Sequence, residues 1–274
     1  MQEAGFAVVI ADNSGTVPDI SGIEVVVQDG NYGFAAGCNA AVAAAPLGTK
    51  VICFHNPDAV VSPTGLDRLA AMAHRNSGAT APAERTPVGV REGGYRYPQP
   101  MREVGLAIRA LTRPHTSPLS PPAVVDRTRS RRGRRFPGGA LMVVDCSAHA
   151  AIGGFDEDYF LYGEDLDYWH RLGLAGAPRS LVTDVVVDHA SSTGSPLASV
   201  RREVLRWLGV ELFAQKNLAG WRSFRLAHRL VAPLARSGAQ DLVQAVEEQW
   251  RRGSEPASVL AELRPRLAAG DLLG

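Results

Sequence analysis

Gly153-Gly154-Phe155-Asp156-Glu157-Asp158-Tyr159-Phe160-Leu161-Tyr162-Gly163-Glu164-Asp165-Leu166-Asp167-Tyr168-Trp169-His170-Arg171 sets six carboxylates among seven aromatic or histidine rings and three glycines. A core would not accept Glu164 and Asp165 unpaired, and a purely solvated turn would not call for Phe155, Phe160 and Trp169. The stretch therefore reads as one wall of a functional cleft. The simpler reading is a solvated helix start, its acids at the positive helix end and Asp167 paired with Arg171 at i,i+4. That accounts for Asp167 and Arg171 but leaves the crowded aromatics unexplained.

Outward from this stretch, composition bounds the rest. A chain of 274 residues can bury a substantial core. A net charge of +1 gives no global field, so charge balance offers no support for nucleic-acid binding. Cys38, Cys53 and Cys146 lie far apart with no C-x-x-C pair, which reads as reduced thiols of a cytoplasmic protein. No apolar run has the length of a bilayer span, and the start lacks the basic residues of a signal peptide. The expected location is the cytoplasm or the inner face of the plasma membrane.

Residues 6–11 form a short apolar run ending in Asp12-Asn13-Ser14-Gly15, as a buried strand closing on a polar turn would. A second strand is expected over 23–27, an alanine-rich helix over 34–45, a strand over 50–54 ending at His55-Asn56-Pro57-Asp58, and a helix from Ser62-Pro63 to about Asn76. Residues 80–97 read as short strands and turns, 101–111 as a helix, and 112–135 as a loop in which 126–135 holds six arginines. Strands follow over 140–144 and 180–188, either side of a helix over 165–174. From residue 198 onward the pattern is helical, with basic residues and tryptophan among the leucines. Such a surface packs on the rest of the chain or rests peripherally on anionic lipid. The alternation predicts an α/β fold: an open, mixed, mostly parallel sheet flanked by helices, with ligands at the strands' carboxyl ends and a helical C-terminal extension.

The polar turns come as a set. Asp12-Asn13-Ser14 is followed by Asn31-x-Gly33-Phe34-x-x-Gly37-x-Asn39, Asn56-Pro57-Asp58, Phe136-Pro137-Gly138-Gly139-Ala140, Gly153-Gly154-Phe155-Asp156-Glu157, Tyr162-Gly163-Glu164-Asp165-x-Asp167 and His189. In order and spacing this set resembles the family 2 glycosyltransferases of GT-A fold, in their rhamnosyltransferase-like branch, over about residues 6–195. The resemblance implies a transferase domain over 1–197 and a helical extension over 198–274.

It also implies roles. Asp12 and Asn13 would meet the nucleobase, although Asp12 in that position serves equally well to cap its own turn. Gly33 and Gly37 would let backbone approach the nucleotide, as an ordinary glycine-rich turn also would, and Asn31 belongs to the same site. Asn39 would hold the helix start or the ribose phosphate, and Asn56 and Gly139 belong to the same nucleotide-sugar site. Asp58 occupies the family's metal position, with His189 as a further ligand to Mg²⁺ or Mn²⁺ on the diphosphate. Asp165 would be the catalytic base that takes the acceptor's proton, its pKa lowered by the helix start, with Glu164 beside it in support or on the acceptor. Trp169 and Tyr162 would pack on sugar faces.

The implied activity is an inverting transfer of one sugar from a nucleotide-sugar, with dTDP-rhamnose as the expected donor, to a cell-envelope glycan or lipid-linked acceptor. The processive Gln-x-x-Arg-Trp motif is missing. The sequence opens almost at what is the second strand in the family, so a sheet without its first strand is expected. A non-catalytic, truncated nucleotide-binding or interaction module is the alternative that this departure supports.

Overall fold

In a computed structural model, residues 6–86, 89–112, 135–189 and 196–270 are described. Ten strands and eight helices follow in order: β1 (Val9–Asp12), β2 (Glu24–Val27), α1 (Phe34–Ala43), β3 (Val51–His55), β4 (Ala59–Val60), α2 (Pro63–Arg75), β5 (Ala79–Thr86), β6 (Gly89–Arg91), β7 (Tyr95–Arg96), α3 (Pro100–Thr112), β8 (Arg135–Phe136), β9 (Leu141–Asp145), α4 (Cys146–Ala151), α5 (Glu164–Leu174), β10 (Arg179–His189), α6 (Pro196–Asn217), α7 (Arg222–Arg251) and α8 (Pro256–Ala268). The arginine-rich run lies, but for Arg135, outside the described residues.

The main sheet has the order β3-β9-β5-β10-β4, with β6 on β5. β5 and β10 pair in parallel, whereas β9 runs antiparallel to both β3 and β5. The sheet is mixed, as expected, and β3, β5 and β10 point the same way. Its ladders are nevertheless mostly antiparallel, because β9 is inserted reversed between β3 and β5. β1 and β2 form their own parallel pair, separate from β3.

Side-chain alternation along β9 sends its residues to two cores. Leu141 and Val143 face α2, joining Leu66, Leu69, Val182 and Val187. Met142 and Val144 face the other side, with Phe54, Phe155, Tyr168 and Trp169. Helix α2 starts as its sequence dictates, with Ser62 Oγ accepting from Gly65 N–H and Pro63 at the first position. On the second side the rings interlock: Phe155 stacks on Tyr168 at 4.3 Å and meets Phe54 edge-on at 4.8 Å. Trp169 is buried there, which corrects its expected place on a sugar face.

The helical part has a third core, where Leu205, Leu208, Leu212 and Phe213 of α6 meet α7, α8 and the aromatic residues Tyr159 and Phe160. α7 is bent at Ala239, whose backbone leaves the helical region, six residues after Pro233. α6 also crosses the acidic stretch very closely. Tyr162 and Gly163 both adopt positive φ, 69° and 94°, and a methyl group at Gly209 would run into the Tyr162 carbonyl. Only glycine allows this approach. Gly209→Ala is therefore expected to lower stability in urea by about 1–3 kcal/mol through overpacking. An unchanged unfolding midpoint would show that the contact is loose.

Candidate functional site

Register places the first pair of site residues. β4 pairs antiparallel with the end of β10, with Ala59 opposite His189. Asp58 precedes Ala59, so its carboxylate reaches the ring: Asp58 Oδ1 lies 3.2 Å from His189 Nε2. The other ring nitrogen, Nδ1, is 2.9 Å from Glu84 Oε1 on β5. Glu84 has a second load, since its Oε2 accepts from Arg91 Nη1 at 2.9 Å and from the Tyr95 hydroxyl at 3.3 Å. The histidine thus stands between two carboxylates, one exposed and one buried. Asn56 N–H bonds Ala140 O, and its side-chain Oδ1 is buried with no partner.

Gly138 and Gly139 carry the row on. A methyl at 138 would press on Glu84 Oε2, and one at 139 would sit 3.3 Å from Asp165 Oδ2. The Pro-Gly-Gly turn therefore lets backbone lie directly against both carboxylates. Asp165 stands in the first turn of α5, whose backbone N–H groups should favour its charge. The outcome is the reverse of that expectation: burial pushes its pKa up, outweighing the Leu166 N–H and the Arg206 charge that pull it down. Glu164, buried and with Oε2 unpartnered, is pushed up further by burial and by the charge of Asp165. Burial raises the Cys38 thiol on α1 and the Glu164 charge adds to it, so Glu164 acts toward α1 while Asp165 lies against Gly139.

The residues expected at the nucleotide form a second group. Asp12 is buried, and its carboxylate holds its own turn: Oδ1 accepts from Ser14 N–H at 2.8 Å, Ser14 Oγ at 2.6 Å and Gly15 N–H at 3.0 Å, and Oδ2 from Val17 N–H at 2.8 Å. Led by the Ser14 hydroxyl, these bonds bring its pKa down to about 2. Of the two readings of Asp12, turn capping is the one realised. Asn13 Nδ2 donates to Gly33 O at 3.1 Å and its Oδ1 is buried without a partner. Asn31 Oδ1 accepts from Gly33 N–H at 3.1 Å. Gly33, at φ 93°, leaves no room for a side chain against the Phe160 carbonyl, and Gly37 lies against Asn13. Phe34 N–H bonds Phe160 O at 2.9 Å, so the acidic aromatic stretch links this group to the first.

Asn39 lies apart from both roles expected for it. Its Nδ2 donates to Phe155 O at 3.0 Å and Glu157 Oε1 at 2.8 Å, and its Oδ1 accepts from Phe155 N–H at 2.9 Å. It clamps the 154–157 loop to α1. Asp156 and Asp158 are tied from outside by Lys216 Nζ, at 2.5 and 2.7 Å. Asp167 accepts from Arg171 Nε at 2.6 Å, the pair legible from its i,i+4 spacing. Tyr162 lies under the Arg206 guanidinium, 4.9 Å from its ring centre.

Two site residues escaped the sequence reading. Glu84 is a single acid in the run Ala81-Pro82-Ala83-Glu84-Arg85, with no motif around it. Arg206 sat among Arg201 and Arg202 and was read as packing or lipid contact; the helical spacing from Gly209 was the one clue to its side. The donors present suit a hard divalent ion: a half-exposed carboxylate, a histidine fixed from behind by Glu84, and the orphaned oxygen of Asn56 nearby. Among the described residues no three His, Cys, Asp or Glu side chains form a closed metal cage, so diphosphate oxygens would have to complete the shell.

Two curated relatives, both N-acetylglucosaminyl-diphospho-decaprenol L-rhamnosyltransferases from Mycobacterium tuberculosis strains CDC 1551 and H37Rv, are 29% identical over 222 residues, 72% of this chain and 71% of theirs. Among solved structures, a mannosyltransferase of Pyrobaculum calidifontis in complex with GDP-Man and Mn²⁺ aligns with a TM-score of 0.45 and 15% identity, over 90% of this chain and 63% of that one. The family model described as glycosyltransferase like family 2 matches residues 7–209. With three quarters of its length under that model, including β1 through the Gly209 contact of α6, the chain belongs to glycosyltransferase family 2.

Proposed function

We propose that the chain moves a single sugar from a nucleotide-activated donor to an acceptor hydroxyl with inversion at the anomeric carbon. The observation that carries this is the row Asp58, His189, Glu84, Gly138–Gly139, Asp165, which aligns a cation-binding end and a basic carboxylate along one backbone turn. The relatives' name supports a rhamnosyl donor and a lipid-diphosphate-linked acceptor; dTDP as the nucleotide and a cell-envelope glycan as the product are this reading's own additions. Residues 1–197 form the transferase part and 198–274 the helical extension, which roofs the site through Arg206 and Gly209.

In this reading Asp58 and His189 hold Mg²⁺ or Mn²⁺, which would supply charge neutralisation to the departing diphosphate. Glu84, bonded to His189 Nδ1, keeps Nε2 turned toward Asp58. Asn13, Asn31, Gly33 and Gly37 shape the surface against which the nucleoside lies, and Asp12 holds the turn that presents Asn13. Asn56 and Gly139 receive the sugar diphosphate. Asp165 removes the acceptor's proton as that oxygen bonds to the anomeric carbon and the nucleoside diphosphate leaves. A raised pKa improves the base, since proton affinity nearer neutrality favours transfer in the transition state. The Arg206 charge acts on Asp165 against the effect of burial. Glu164, buried on the α1 side, acts from behind Asp165 and not on the acceptor. The site acts on the cytoplasmic side of the membrane in this scheme.

Three outcomes follow. Asp165→Asn should cut transfer by about 10²–10⁴-fold with nucleotide affinity nearly unchanged; retained transfer removes Asp165 from the base role. The base works only when ionised, so the rate should fall as pH drops through the raised pKa, on a limb clearly above the ordinary aspartate value of about 3.9. A limb at that ordinary value would contradict the buried-base account. UDP or dTDP should raise the melting temperature more with Mn²⁺ than without, and the difference should vanish in Asp58→Asn and His189→Ala. Equal melting of wild type in every condition would favour a non-catalytic module.

A further inference from the structure

The face of α7 that turns away from the core is both apolar and basic. Phe224, Ala227, Val231 and Ala235 are buried on the inner side. On the outer side Arg222, Leu226, Arg229 and Leu234 are exposed, Leu226 at 53% and Leu234 at 37%, with Leu230 half-buried between them. Leucines at i, i+4 and i+8 flanked by arginines make the pattern of a helix lying in a membrane interface. Scattered surface leucines need no explanation by themselves, so the face requires independent support.

It comes from a cleft of about 360 Å³ at the start of the same face, where Trp221, Arg222, Arg225, Leu226, Arg229 and Trp250 form most of the wall. Two of these carry buried donors without acceptors: Arg225 Nη2 and Trp250 Nε1. Arg225 is 8% exposed and Trp250 3%. A buried donor left unmade costs about 1–3 kcal/mol, and both belong to side chains that line this cleft. Arg225 is fixed in place, with Nε on Glu211 Oε2 at 3.1 Å and Nη1 on Ser254 O at 2.6 Å. At the mouth Arg222 stands over the Trp221 ring at 4.9 Å, and Arg229 bonds the Trp250 carbonyl at 2.6 Å. Neither is held by a carboxylate. Of the acids here, Glu247 is paired with Arg236 through both oxygens, while Glu255 itself lines the cleft and is bonded by the neutral Gln215 amide at 2.6 Å.

We propose that this cleft takes the headgroup phosphate of an anionic membrane lipid, with Leu226, Leu230 and Leu234 entering the acyl boundary beside it. Phosphate accepts from guanidinium and indole N–H alike, and its charge answers Arg222 and Arg229. The leucines select lipid over free phosphate, since a soluble anion would leave them in water. The use of the contact, to bring the enzyme to a lipid-linked acceptor, rests on the function proposed above. The contact itself is independent of it.

The test is flotation of the full chain with vesicles of phosphatidylcholine alone, or of four parts phosphatidylcholine to one part phosphatidic acid, without nucleotide, metal or acceptor. The protein should float with the acidic vesicles only, and less at high salt. The double variant Arg222→Glu/Arg229→Glu should bind about tenfold or more weakly, and Leu226→Asn/Leu234→Asn should also lose binding. Both pairs are exposed, so unfolding midpoints near wild type separate lost binding from lost fold. No flotation of the wild type, or equal flotation of the charge-reversed variant, overturns the proposal. Inorganic phosphate that raises the melting temperature of wild type but not of the variant, without vesicle binding, assigns the cleft to a free anion and overturns the lipid. A wild type that floats yet transfers no sugar supports this surface and removes the transferase reading instead.

Discussion

Helix α6 crosses the Tyr162–Gly163 turn at a separation that a side chain at 209 would prevent, and much of the site depends on that approach. The turn has positive φ at both residues and seats Phe160 and Leu166 on either side of it in the helical core. With α6 over it, Glu164 is buried and Asp165 half-buried. Desolvation then outweighs the helix start and raises both carboxylates. The same helix brings Arg206 to the turn, and its charge acts on Asp165 in the opposite sense. A single close contact therefore sets the burial, the proton affinity and the nearest counter-charge of the proposed base.

The other end of the site depends on strand register. Two residues of β4 pair with the end of β10, and that short ladder sets Asp58 beside His189. β5, parallel to β10, supplies Glu84 to the far side of the ring. The turn before β9 then lies between Glu84 and Asp165, and it does so because residues 138 and 139 have no side chains. Sheet and α5 are thus coupled through backbone as well as through the aromatic cluster around Phe155, Tyr168 and Phe54. The Asn39 clamp on the 154–157 loop and the Lys216 bonds to Asp156 and Asp158 hold the rest of the acidic stretch from both sides.

Most elements were legible because their signals are local. The cap at Ser62, the proline at 63, the apolar runs before polar turns and the i,i+4 pair of Asp167 and Arg171 all appear where sequence rules put them. The reversed direction of β9 was not legible, since strand direction follows from connections and leaves no trace in a five-residue apolar run. Glycines 33 and 37 were singled out for backbone approach to a nucleotide; in the fold Gly33 meets the chain's own Phe160 carbonyl and Gly37 lies against Asn13. Asp12 and Asn39 show the limit of residue type as a guide: a carboxylate at a strand tip and an amide in a helix suit a ligand or the fold equally well, and here both hold the fold. Glu84 and Arg206 were missed because only tertiary packing brings them to the site. The sign of the Asp165 shift was missed for a related reason, as burial beneath α6 cannot be read from the helix start alone.

The central claim is that one row of side chains holds the metal-bound diphosphate at Asp58 and His189 and points the sugar toward Asp165. Anomalous diffraction from a crystal grown with Mn²⁺ and a nucleoside diphosphate tests it most directly. The account predicts one strong manganese peak within bonding distance of Asp58 and His189, with the diphosphate on the same ion and the beta phosphate on the side of Gly139 and Asp165. Manganese and nucleotide bound elsewhere, or nucleotide bound there with His189 still closed on Asp58 and no metal, would contradict it.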